Sequence, residues 1–233
     1  RDGDRALKPR ICVPIAAEKV SKAVSLVKRA EALGADLLEI RLDFLSSTRM
    51  LRRILEATAL PLIATNRQHG QGGHRLQEES QRVRALLDAA RLGFEYADLE
   101  LTTADLQSSL RELKEVGVTP IVSFHDFKQT PSTAELKVTM RSQLEKGAEV
   151  CKLVTTANEV ADNIPCLMAT WEMSKTAKVV CFAMGEKGLV SRVLSPLFGA
   201  QFTYASLEEE RETAPGQLSI SDLKNLYDRL GVE

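Results

Sequence analysis

Tryptophan, histidine and cysteine are scarce in this chain, and neither sign of charge prevails. Among 233 residues there are one Trp, three His and four Cys. The cysteines (Cys12, Cys151, Cys166 and Cys181) form no CxxC pair, and three fall inside apolar runs. That pattern argues against a metal site and fits small buried thiols in a reducing cytoplasm. Basic residues number 31 and acidic residues 32. Without a basic stripe interleaved with aromatics, nucleic acid is not an expected partner. No apolar run approaches the roughly 20 residues that span a bilayer, so no membrane partner is expected. Residues 1–10 are polar and lack the apolar region of an export signal. No Gly-, Pro- or Ser-rich linker breaks the chain, which reads as one domain over 1–233 with residues 1–9 as a poorly ordered extension.

What the chain does have is alternation. Apolar, β-rich runs at 11–15, 36–42, 61–66, 96–101, 119–124, 149–154, 178–183 and 201–205 take turns with segments of helical period. Val20, Ala23, Val24, Val27 and Ala30 form one such stripe, and Gly34 stands where a C-terminal cap belongs. Ser132 and Glu135 have capping-box spacing ahead of Leu136, Met140 and Leu144. Ile220, Leu223, Leu226 and Leu230 form the last stripe, behind Ser219. Eight strand–helix units imply parallel strands with right-handed crossovers. In about 230 residues the expected fold is a single (β/α)8 TIM barrel, with an open doubly wound sheet as the alternative.

A parallel barrel carries its active site where the strands run out into the following loops. Side chains alternate along a strand, so each strand divides into a helix-facing set and an interior set. Strand two sets Leu38, Ile40 and Leu42 against Glu39 and Arg41. Strand three groups Ile63, Thr65 and Arg67, and strand four groups Tyr96, Asp98 and Glu100. Strand five ends on Ser123 and His125; strand six puts Lys152 with Val150 and Val154. Five neighbouring strands thus aim ionisable groups into the barrel near its top. Charge in a packed interior is costly unless paired or functional. Lys152 is the sharpest case. Desolvation favours the neutral amine, which attacks ketones; a snorkelling side chain or an ion pair with Glu39, Asp98 or Glu100 suits the spacing equally well. His125, one strand away, has the ordinary titration range of a proton shuttle. His69 and His74 sit in a polar loop and carry no expected chemistry.

Together these residues resemble the type I 3-dehydroquinate dehydratases. The resemblance runs through Glu39-Ile40-Arg41-Leu42-Asp43, Thr65-Asn66-Arg67 with Gly72-Gly73, and Ser123-Phe124-His125-Asp126-Phe127. It continues through Lys152-Leu153, Met184-Gly185, Ser191-Arg192 and Ala214-Pro215-Gly216-Gln217, nearly the whole chain in order. It implies a shikimate-pathway lyase on a (β/α)8 barrel that uses no metal or cofactor, is cytoplasmic and forms a homodimer. It implies that Lys152 forms a Schiff base with the C3 ketone of 3-dehydroquinate. His125 is implied to take the C2 proton and return it to the departing C1 hydroxyl. Arg192 is implied to pair with the substrate carboxylate, and Glu39, Arg41 and Arg67 to hold the ring hydroxyls. Gln217 and Thr213 fall on a loop implied to close over the substrate, next to an acidic run at 208–212 read as a solvated face. Two positions depart from the family pattern. Thr213 replaces a common serine and keeps the hydroxyl. Gln71 stands where a glutamate usually orients the histidine, so a less elevated His125 pKa is expected, or a substitute carboxylate from Glu100 or Asp98. A class I aldolase and a barrel that binds without turnover are the competing readings.

Overall fold

A computed structural model describes residues 8–207 and 217–232. Eight strands, β1 (Ile11–Ile15), β2 (Leu37–Arg41), β3 (Leu62–Thr65), β4 (Tyr96–Glu100), β5 (Thr119–His125), β6 (Val150–Thr156), β7 (Lys178–Met184) and β8 (Thr203–Tyr204), alternate with eight helices. The helices are α1 (Val20–Ala32), α2 (Arg52–Leu55), α3 (Glu79–Leu92), α4 (Leu106–Glu115), α5 (Thr133–Lys146), α6 (Asn163–Met173), α7 (Leu189–Leu194) and α8 (Ile220–Arg229). All paired strands are parallel, in the order β7-β6-β5-β4-β3-β2-β1-β8. The remaining gap is narrowed by Gln201, whose N–H donates to Val179 O at 2.8 Å on β7. The result is a nearly closed barrel, the expected fold, and not the open doubly wound sheet that the same alternation allows. The acidic run and Thr213 lie outside the described residues, as does the N-terminal extension up to Leu7; Pro9 is already buried.

Period-two alternation sorts the core into two bodies. Leu38, Ile40, Ala64, Ala97, Leu99, Val122, Cys151, Leu153 and Cys181 face the helices and pack against their apolar stripes. Cys12, Leu37, Ile63, Ile121, Val150, Val180, Phe202 and Tyr204 fill the barrel itself. The helix ends follow the local sequence. Ser132 and Glu135 form a reciprocal capping box at the start of α5, and Gly147 ends that helix at φ +110°. Loss of such a capping hydroxyl costs about 1 kcal/mol. Ser219 caps α8 through Asp222 N–H, and Gly34 takes φ +85° just after α1.

Most strand ends depart from the expected limits by one or two residues, and the departures in β8, β5 and β6 bear on the site. β8 has two residues where five were expected. Beyond Ala205 the chain turns away, and Ser206 exchanges backbone hydrogen bonds with Leu218 and Ile220 instead. β5 and β6 each run further than expected, to His125 and Thr156, because β6 stays paired with β7 as far as Met184 and with β5 as far as His125. These extensions lift His125 above the level of Lys152, whose register partner on β5 is Ser123.

Candidate active site

Interior-facing side chains at the strand ends converge on one cleft of about 570 Å³, counting the part open to solvent. Glu39, Arg41, Arg67, His125, Lys152, Arg192 and Gln217 all line it. Thr213, the other residue nominated from the sequence, lies outside the described residues. Lys152 sits low in the cleft and is buried. Its Nζ donates to Asp98 Oδ2 at 2.9 Å and to Tyr204 Oη at 2.8 Å, with Glu39 Oε1 at 3.6 Å. The two alternatives that spacing left open are therefore not exclusive: the lysine is ion-paired and also faces the cleft.

The carboxylates are held by arginines. Arg67 Nη1 reaches Asp98 Oδ1 at 3.0 Å and Glu100 Oε1 at 2.9 Å, while Nη2 reaches Asp98 Oδ2 at 2.7 Å. Arg82, from α3, takes the other oxygen of Glu100 at 2.7 Å. Arg41 forms a two-pronged pair with Asp43 at 2.9 and 2.7 Å and lies over the Phe44 ring. Glu39 accepts from Thr65 Oγ1 at 2.6 Å. Burial alone pushes the Asp98 carboxyl up, but the charges of Arg67 and Lys152 and hydrogen bonds from Arg67 and Ser123 reverse this and hold it far below the ordinary carboxylate range. Asp98 is thus a fixed anion. Fork-shaped guanidinium pairs of this kind are the strong, orienting type.

His125 stands apart from this network. Of the two alternatives raised by Gln71, a substitute carboxylate on the ring is not what the structure shows, because Asp98 and Glu100 are committed to Arg67, Arg82, Ser123 and Lys152. Its Nδ1 is buried and has no hydrogen-bond partner among the described residues. Burial first, then the positive charges of Arg67 and Lys152, push its pKa well below 6.5. The imidazole is neutral at neutral pH and able to accept a proton. Gln71 meets the histidine's backbone rather than its ring. His125 N–H donates to Gln71 Oε1 at 2.8 Å, and Gln71 Nε2 donates to His125 O at 3.3 Å.

Two glycines set the loop that delivers Gln71. A Cβ at Gly73 would lie 2.1 Å from Arg67 O, so only glycine lets the loop fold back there. Gly72 adopts φ +85° and packs beneath Phe127, whose ring stacks on His125 at 6.0 Å. His74 stacks on Phe44 at 4.2 Å and, like His69, is exposed; neither lines the cleft.

The opposite wall is apolar: Val154, Phe182, Met184 and Tyr204. Arg192, from α7, lies 4.4 Å above the Phe182 ring. Tyr204 was not singled out from the sequence. Its ring is 4.6 Å from Lys152 Nζ, and burial, with Glu39, Cys12 and Asp98, pushes its hydroxyl well above the ordinary tyrosine value. Alternation along 201–205 already places Phe202 and Tyr204 on one face, and that signal alone could have found it.

Relatives carry the same arrangement of strands over nearly the same length. The family model described as type I 3-dehydroquinase matches residues 11–233. The chain belongs to that family. It is an enzyme of that type, and the lyase class comes with it. It is 34% identical over 222 residues to the 3-dehydroquinate dehydratase of Methanosarcina acetivorans, covering 91% of this chain and 92% of that one. It is 36% identical over 219 residues to that of Dehalococcoides mccartyi, covering 94% and 95%. Among solved structures, the 3-dehydroquinate dehydratase of Geobacillus kaustophilus superposes with a TM-score of 0.88 at 27% identity, covering 96% of this chain and 91% of that one. Among the described residues, no helix is long and apolar enough to cross a membrane.

Proposed function

We propose that the protein dehydrates 3-dehydroquinate to 3-dehydroshikimate through a Schiff base on Lys152, with His125 moving the proton. The observation that carries this reading is the cradle around Lys152 Nζ, open to a cleft that His125 also lines, with its ring bound to none of the cleft's carboxylates. The amine adds to the C3 ketone and the carbinolamine loses water to give an iminium. That cation occupies the place of the ammonium, so the anion of Asp98 pairs with it without rearrangement, and preorganised charge of this kind is a large source of rate enhancement. His125 then takes the C2 proton, with its electrons passing to the iminium nitrogen. The resulting enamine expels the C1 hydroxyl, which leaves as water on receiving a proton from His125. Hydrolysis of the conjugated iminium returns the amine and releases the enone. The two-pronged guanidinium of Arg192 suits the substrate carboxylate. Glu39 and Arg41 reach the cleft for the ring hydroxyls. Arg67, whose donors are largely taken by Asp98 and Glu100, serves mainly to fix those anions. Gln217, which lines the cleft, and Thr213 are proposed to contact the substrate.

Two further parts of the reading rest on other features. A cytoplasmic setting is supported by four buried, free thiols. A homodimer is supported by an apolar stripe on α6, where Ile164, Met168 and Trp171 are exposed at helical spacing. Sedimentation of the wild type as a monomer would overturn the dimer alone. For the chemistry, Lys152→Met and His125→Ala are compared with wild type by following the conjugated enone in ultraviolet absorbance. Lys152→Met is expected to lose turnover by about 10⁴-fold or more, and His125→Ala by about 10²–10⁴-fold. Wild-type protein that forms no enone from 3-dehydroquinate would contradict the reading.

A further inference from the structure

The backbone of β5 outruns its neighbour. In a parallel sheet the N–H and C=O of one residue point to the same side, and the sides alternate along the strand. Ser123 O accepts from Leu101 N at 2.7 Å, on the β4 side, and Asp126 N donates to Val154 O at 2.9 Å, on the β6 side. The N–H and C=O of His125 therefore point toward β4. But β4 ends at Glu100, whose register partner is Ser123. No strand residue is left to meet the histidine.

The Gln71 side chain fills that place. Its amide accepts from His125 N–H at 2.8 Å and donates to His125 O at 3.3 Å, as a strand residue would. A side-chain amide carries the acceptor and the donor side by side, as a peptide group does; a carboxylate has no donor for the carbonyl, and an aliphatic group satisfies neither. The glutamine is itself held by the turn at His69–Gln71, which Gly72 and Gly73 press back against Arg67. Arg67 in turn grips Asp98, which grips Lys152.

We propose that Gln71 is a positioning residue for His125, a side-chain rung that completes β5 where β4 has stopped and fixes the histidine through its main chain. The proposal rests on the reading of His125 as the proton carrier. It gives Gln71 a reason to be an amide in a site where a carboxylate facing the ring would be the obvious alternative. The imidazole is then oriented from below, while the charges facing it come from Arg41 on β2, Arg67 after β3, Asp98 on β4 and Lys152 on β6.

The test compares Gln71→Ala, Gln71→Glu and His125→Ala with wild type, by kcat and KM for 3-dehydroquinate across pH, on protein shown folded by its thermal melt. Gln71→Ala is expected to lower kcat by about 10–100-fold, the scale of a small misplacement of a reacting group, while KM changes less than threefold and the acid limb stays in place. Gln71→Glu is expected to lower kcat as well and to move the acid limb to higher pH, because an anion now lies beside the imidazole. Gln71→Ala with wild-type kcat, while His125→Ala is inactive, overturns the positioning role and leaves the proton-carrier reading intact. His125→Ala with wild-type turnover overturns both. Should Gln71→Ala fail to fold, Gln71→Glu decides: an unchanged kcat and an unmoved acid limb overturn the proposal.

Discussion

The two sides of the barrel mouth are built on different physics. From β2 to β6 the cleft is a lattice of charge: Glu39, Arg41, Arg67, Asp98, Glu100 and Lys152, each paired and buried. From β7 to β8 it is a wall of Phe182, Met184 and Tyr204, with Arg192 stacked on Phe182. The first side holds groups whose positions are fixed by directional bonds. The second offers shape and excludes water. A substrate with hydroxyls, a carboxylate and one apolar ring face needs both. His125 lies between them, with its buried Nδ1 bound to neither the charge lattice nor the wall, as the proton-carrying role proposed for it requires.

The largest expected break in this comparison is Arg67→Met. It strips the shared partner from Asp98 and Glu100, and removing one member of a buried pair costs about 3–5 kcal/mol. Chemical denaturation checks it. Phe182→Leu on the apolar side keeps most of the volume and is expected to cost about 1 kcal/mol. Equal costs for the two would erase the distinction between the sides. pH sharpens it further. His125 has its folded pKa pushed below 6.5, so below that pH the unfolded chain binds the proton that the folded chain refuses, and stability falls. Asp98 has its folded pKa pushed below 3.8, so its contribution is present above that pH and is lost as pH falls further. Stability is therefore expected to decline on the acid side in two stages, and His125→Ala should abolish the upper one. Activity differs: kcat/KM should stay level on passing down through pH 6.5, because the base remains neutral there. The smallest effect is that of Tyr204→Phe. It removes one neutral partner from Lys152, a change of about 1 kcal/mol, read as a several-fold slower imine formation with the melt nearly unchanged.

The fold was legible because both periodicities are strong. Alternation in β2, β3, β4 and β6 sorted Glu39, Arg67, Asp98 and Lys152 to the interior without any knowledge of the pairing. What it could not supply was who holds whom. Asp98 and Glu100 were placed on the correct face, with Lys152 or His125 as possible partners; Asp98 does meet Lys152, but the arginines that hold them, Arg67 for both and Arg82 for Glu100, were not foreseen. Charge sign alone does not rank the partners of a carboxylate; side-chain length and the height of each strand end do. The same holds for Gln71. Its loop position was plain, but that its amide would meet the backbone follows from β4 ending two residues short of His125, and strand ends are the least determined feature of a sequence. Tyr204 was missed because β8 was read as a strand and not as an interior face.

The central claim is the covalent bond to Lys152, and borohydride trapping tests it most directly. Protein is mixed with 3-dehydroquinate, reduced, digested and its adduct located by mass. The expected result is an adduct on Lys152 lighter by one water than the simple substrate imine, which requires both imine formation and elimination at this site. Folded protein and authentic substrate that give no adduct, or an adduct on another lysine, would contradict it.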